Sequence, residues 1–90
     1  VACKLDVGRE AGKFLASLPP KQFRQVVLRI FDLLREPLAA DTLALRGNAD
    51  FRRADIGEYR IIYRLEAEVV KVALVGKRND DEVYRRFKRL

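Results

Sequence analysis

Tyr59-Arg60-Ile61-Ile62-Tyr63-Arg64-Leu65, then Val69-Val70-Lys71-Val72-Ala73-Leu74-Val75-Gly76, decides the fold. Both runs are short, rich in β-branched and aromatic residues, and bounded by polar residues, which marks strands. In the first run Tyr59, Ile61, Tyr63 and Leu65 share one face, and Arg60, Ile62 and Arg64 share the other. A turn near Ala67-Glu68 joins the runs, although Ala-Glu is poor hairpin chemistry. In that hairpin position 60 is expected close to position 75. Upstream, Phe51 to Ile56 reads as a third strand, with a tight turn at Gly57-Glu58. Ala54 and Ile56 then point inward, and Arg53 and Asp55 outward.

The first half reads as a strand and two helices. Cys3 to Val7 is a short strand. Ala11, Phe14, Leu15 and Leu18 recur at helical spacing. Pro19-Pro20 ends that helix and suits the first turn of the next. In the second helix Phe23, Val26, Val27, Ile30, Phe31 and Leu34 form an apolar stripe. Arg24, Gln25, Arg29, Asp32 and Arg35 take the other side, and Pro37 sets the end. Ala39 to Asp50 is a connector with a turn at Gly47-Asn48. Asn79-Asp80-Asp81-Glu82 has a capping-box pattern and opens a last helix with Val83, Phe87 and Leu90 as its apolar stripe. Its basic residues Arg85, Arg86, Lys88 and Arg89 suit the negative end of the helix dipole. The predicted order is β-α-α-β-β-β-α: a small α+β domain over residues 1–90, with an antiparallel or mixed sheet of about four strands. An N-terminal helical hairpin and a short C-terminal helix pack on it.

Composition narrows the function classes. With 49% apolar and 36% charged residues, the chain can bury one core beneath a heavily charged surface. No apolar run approaches the ~20 residues that span a bilayer, so no membrane role is expected. Val1 to Glu10 shows no secretory pattern. One cysteine, Cys3, and no histidine leave no disulfide and none of the usual nitrogen and sulfur ligands for a metal. A reducing, cytoplasmic setting without cofactors is expected. The net charge of +6 favours an anionic partner. An enzyme without histidine must move protons through Arg, Lys, Tyr, Asp or Glu.

The outward residues gather. Arg60 and Arg78 are expected at one end of the sheet, and Tyr84, beside the apolar stripe of the last helix, can reach the same edge. Arginines matched to phosphate oxygens clamp a scissile phosphate and stabilise charge that develops in the transition state. A tyrosine stacks on a base or orients a hydroxyl. Each residue also has an ordinary role open to it: solvated sheet arginines, a loop-capping Arg78, a packing tyrosine.

Leu45-Arg46-Gly47, Tyr59-Arg60-Ile61-Ile62-Tyr63, Val75-Gly76-Lys77-Arg78 and Glu82-Val83-Tyr84 resemble the RelE family of the RelE/ParE superfamily in order and spacing. The opening strand and helix pair are similar to that family too. The resemblance implies a toxin of a type II toxin–antitoxin pair that enters the ribosomal A site and cuts the messenger RNA there. The 2′-OH attacks the adjacent phosphate, without a metal, and leaves a cyclic phosphate and a free 5′-hydroxyl. Carried onto this chain, Arg60 stabilises the phosphate charge, and Arg78 protonates or stabilises the leaving 5′-oxygen. Tyr84 stacks on a nucleotide, and Arg53 matches a basic family position, with Arg52 next to it as a fallback. Arg52, Arg64, Lys77 and Arg85 complete the expected RNA contacts. Where the family often has a second basic residue, this chain has Asp55, either a charge partner for an arginine or a base; Glu58 is the other carboxylate in reach. Implied partners are a cognate antitoxin, the ribosome with its message, and operator DNA only through the antitoxin. Two alternatives share the fold: a ParE-type inhibitor of DNA gyrase, and a non-catalytic module acting with an antitoxin on operator DNA.

Overall fold

The computed structural model describes residues 3–79 and 82–89. The element order is β1 (Lys4–Val7), α1 (Arg9–Ala16), α2 (Pro20–Arg35), β2 (Leu43–Leu45), β3 (Asn48–Ile56), β4 (Tyr59–Glu66), β5 (Val69–Lys77) and α3 (Glu82–Lys88). The strands form one sheet in the order β1-β5-β4-β3-β2. β1 runs parallel to β5, and the other pairs are antiparallel. The predicted α+β class and element order hold, with a fifth strand added. Leu43–Leu45, expected within a connector, pairs with β3 around a turn in which Gly47 has φ of +82°. So short a strand, with a register shift between Ala44 and Leu45, carries no alternation pattern to read.

The β3–β4 connection is a two-residue turn, with positive φ at Gly57, its first central position. The β4–β5 turn holds positive φ at both Ala67 (50°) and Glu68 (62°). It therefore has the left-handed pair of a type I′ turn without the glycine or asparagine that such a turn favours. Tyr63 pairs with Val72 and Ile62 with Leu74, so Ala73 is an extra residue on β5. This bulge shifts the strand's phase, as bulges do. The residue facing Arg60 is consequently Gly76, not Val75 as the unbulged register predicts.

α1 and α2 cover one face of the sheet. Ala11, Leu15, Val26, Ile30 and Leu33 pack on Ala54, Tyr59, Ile61, Tyr63, Val70, Val72 and Val75. The Tyr63 hydroxyl donates to the Pro37 carbonyl at 2.6 Å, which pins the start of the α2–β2 loop to the core. The buried stripe of α2 is Val26, Ile30 and Leu33: Val26 and Ile30 stand where expected and Leu33 joins them, whereas Phe23 and Phe31 of the expected stripe are exposed, as is Leu28. A helix lying on a sheet buries one stripe, and α2 has more apolar residues than that stripe accommodates. Arg29, expected on the exposed side, has a side chain only 11% accessible and pairs with Asp41 at 3.0 Å. The other sheet face carries a smaller core beneath α3, formed by Leu45, Ile62, Leu74 and Val83 with Phe51, Tyr84 and Phe87 against it. Of the expected cap at 79–82, Asp80 and Asp81 lie outside the described residues, as does Leu90 of the expected stripe.

Candidate RNA-cleaving site

The site lies on the α3 face, at the end of the sheet where β3 turns into β4. Asp55 and Arg60 are directly opposed across β3 and β4. Arg60 Nε donates to Asp55 Oδ1 at 2.7 Å and its Nη2 to Oδ2 at 3.0 Å, a bidentate pair. Arg60 Nη1 donates to the Tyr84 hydroxyl from α3, and the guanidinium carbon lies 5.5 Å from the centre of the Tyr84 ring. Arg60 is thus held on one side by a carboxylate and on the other by a phenol, with 12% of its side chain accessible.

Gly76 makes this arrangement possible. A Cβ there would stand 2.7 Å from Arg86 Nη2 and 3.0 Å from Val83 Cβ, so only glycine lets α3 lie this close to β5. Arg78 follows the end of β5. Its backbone N–H donates to the Glu58 carbonyl at 2.8 Å and its guanidinium to the Gly57 carbonyl at 3.3 Å. Arg78 is exposed along the β3–β4 turn.

The electrostatics of the cluster centre on Asp55. The hydrogen-bonded Arg60 guanidinium holds the Asp55 carboxyl below the usual carboxylate range, against the opposing effect of burial, and the charges of Arg60, Arg53 and Arg78 push the same way. The pairing with Asp55 in turn raises Arg60. Both groups are therefore ionised at neutral pH. Next to the pair is a cleft of about 700 Å³. Leu45, Gly47 and Asn48 line it from the β2–β3 turn, and Tyr84, Phe87 and Lys88 from α3, with Arg53 contributing from β3. The aromatic residues and the cations suit bases and phosphates respectively.

Of the residues singled out in the sequence, Arg53, Asp55, Arg60, Arg78 and Tyr84 come together. Others do not join them. Arg52 points to the opposite face, where Nη2 donates to the Thr42 hydroxyl at 2.7 Å and the Thr42 carbonyl at 3.1 Å. Lys77 pairs with Tyr59, whose ring is in the α1/α2 core, so it shares that face. Arg64 shares the face of Arg60 but lies further along the sheet, over Phe51 at 5.7 Å and paired with Glu66. Arg85 is exposed on α3. Glu58 is exposed in the turn, and its backbone carbonyl supports Arg78. Sequence reasoning missed Phe87 as a cleft wall, Asn48 opposite it, and Arg86, which had been read only as part of a basic helix end. Among the described residues no three His, Cys, Asp or Glu side chains gather as a metal site would require, and no helix is long and apolar enough to cross a membrane.

Comparison with known proteins brings in toxins. Residues 9–82 match the family described as the ParE toxin of the type II toxin–antitoxin system parDE. Among solved structures, a RelBE toxin–antitoxin complex from Mycobacterium tuberculosis is 32% identical over 87% of this chain and 100% of that chain, with a TM-score of 0.76. A variant of the Escherichia coli toxin RelE in the free state is 28% identical over 100% of this chain and 99% of that chain, with a TM-score of 0.82. The intact E. coli RelBE complex is 30% identical over 84% and 96%, with a TM-score of 0.72. Comparison with curated protein sequences gives no match.

Proposed function

The chain belongs to the ParE toxin family of type II toxin–antitoxin systems, within the RelE/ParE superfamily, and from that premise we propose that it is a ribosome-dependent endonuclease that cuts messenger RNA in the A site. The observation that carries this reading is Arg60, fixed between Asp55 and Tyr84 and flanked by Arg53 and Arg78 at the edge of an aromatic and basic cleft. Gyrase poisoning has no use for such a constellation.

The nucleophile is the message's own 2′-OH. It bonds to the adjacent phosphorus, the bond to the 5′-oxygen breaks, and the products are a cyclic phosphate and a 5′-hydroxyl. Negative charge builds on the phosphate oxygens, where the Arg60 guanidinium stabilises it. Arg78, exposed beside the turn, stabilises charge on the leaving 5′-oxygen, which becomes a hydroxyl by taking a proton from Arg78 or from solvent. Tyr84 stacks on a nucleotide and fixes its sugar for in-line attack. Asp55 holds Arg60 by both oxygens and is a weaker base than an ordinary carboxylate, so its role is to orient Arg60. The acceptor of the 2′-OH proton then lies outside this pair, in solvent or on the ribosome. A cognate antitoxin is the expected partner, as in the RelBE complexes that the fold resembles.

The test is cleavage of a message positioned in the A site of purified ribosomes. The expected result is a single cut with a cyclic phosphate end, abolished by a 2′-deoxy nucleotide at the cut position. The family description that names ParE favours a second reading, inhibition of DNA gyrase. An intact message together with blocked supercoiling would overturn the nuclease reading in its favour.

A further inference from the structure

We propose that Arg86 is a positioning residue, which seats α3 on the edge of β5 and thereby sets Tyr84 against Arg60. The proposal rests on the nuclease reading for its consequence, but not for its geometry. β1 pairs with β5 only as far as Val72, so beyond that point, among the described residues, no strand lies beside the β5 edge. Its Val75 carbonyl needs another donor. Arg86 supplies one: Nη2 donates to Val75 O at 2.9 Å. The same guanidinium lies 5.7 Å from the centre of the Phe14 ring of α1, and Phe14 in turn packs edge-on against Tyr59 at 6.1 Å. One side chain thus reaches round the open edge and joins α3, β5 and α1.

α3 needs such a fastening. It has seven residues, well short of the ~12–15 at which an isolated helix is even marginal in water. Its own apolar hold is Val83, with Tyr84 and Phe87 partly buried. At 3.6 residues per turn, Arg86 and Tyr84 project from roughly opposite sides of the helix. Arg86 grips the β5 edge while Tyr84 reaches the Asp55–Arg60 pair on β3 and β4. Without the first grip, α3 is free to roll over the small core, and the Tyr84 hydroxyl loses its place at Arg60. The burial of Arg86 Nε without a hydrogen-bond partner is a cost that the other contacts of this side chain must offset.

The experiment compares Arg86→Gln, Arg86→Lys and Arg89→Gln, a charge-matched control at the helix end, with the wild type. Three quantities are read: amide exchange along the chain, the Tyr84 ring resonances, and kcat and KM for A-site cleavage. Arg86→Gln is expected to speed exchange in residues 83–88 at least tenfold while β3, β4 and β5 stay protected. It should also shift the Tyr84 resonances and lower kcat by about 10²-fold, the scale of an ångström-level misplacement, with a smaller change in KM. Arg86→Lys, which keeps a donor for Val75 but not the planar contact with Phe14, should recover part of each. Arg89→Gln should change none. Unchanged α3 exchange and unchanged Tyr84 resonances in Arg86→Gln would overturn the proposal, as would loss of protection throughout the sheet. If the wild type cuts no message, the nuclease reading fails, while exchange and resonances still decide the role of Arg86.

Discussion

The two faces of the sheet are built from the same three central strands yet follow different rules. Under α1 and α2 the buried cluster is apolar and aromatic, and the Tyr63 hydroxyl within it donates to the Pro37 carbonyl. Under α3, among the described residues, Leu45, Ile62, Leu74 and Val83 form a smaller buried cluster with Phe51, Tyr84 and Phe87 against it, and beside it Arg60 ties Asp55 to Tyr84. One helix pair covers its face; the single short helix covers only part of the other. The part left uncovered is where charged groups remain both ordered and reachable. The larger core lies on the first face and the proposed chemistry on the second, and four variants test that division.

The largest effect belongs to the helix-pair face. Leu33→Ala empties a fully buried position and is expected to lower stability by about 2–5 kcal/mol. Denaturant unfolding measures this, and at temperatures where the variant stays folded its cleavage rate should match the wild type. A large loss of kcat with little loss of stability would break the division. On the other face, Arg60→Ala is expected to cut the cleavage rate by ~10²–10³, while circular dichroism still reports a folded chain. Undiminished cleavage would remove Arg60 from the site.

Asp55→Asn sharpens the comparison through pH. The Asp55 carboxyl is depressed in the folded chain, so its stabilising effect is present above the unfolded carboxylate value of ~3.9 and disappears as pH falls through the lower folded value. The variant should be less stable than the wild type by about 1–3 kcal/mol at pH 7. The gap should close under strongly acidic conditions, and the shape of the pH–rate profile should not change. A new slope in that profile would mean that Asp55 takes a proton in the reaction. The smallest effect lies away from both faces. Replacing Ala67-Glu68 with Asn-Gly relieves two left-handed residues and should stabilise the hairpin by about 1 kcal/mol, read from the unfolding midpoint, with cleavage unchanged.

Most of this division was legible in the residues. The alternation of Tyr59, Ile61 and Tyr63 against Arg60 and Ile62 assigned both faces of β4, and the candidate residues Arg53, Asp55, Arg60, Arg78 and Tyr84 gather at one end of the sheet as that alternation implies. What escaped has physical causes. The Ala73 bulge leaves no mark in a run of uniformly apolar residues, so the facing partner of Arg60 was misread by one position. Three-residue β2 is too short for periodicity. Arg52 and Arg53 are chemically identical neighbours, and only the register of β3 sends one to Thr42 and the other to the cleft. Arg86 looked like one cation among several, because an open strand edge exists only in three dimensions.

The place of β1 beside β5 bears on the order in which the fold assembles during synthesis. Lys4 can find its sheet partner only when Val69 has been made, because their pairing spans α1, α2 and three strands of sequence. At ~5–20 residues per second of synthesis, the nascent segment waits several seconds with its first strand unpaired. Gly76, Arg78 and Tyr84 come later still in the sequence than Val69. The sheet is closed by strands far apart in sequence, and the Asp55–Arg60–Tyr84 cluster forms only once Tyr84 has been made. Under the proposed function, a nascent chain therefore carries no assembled site before that point.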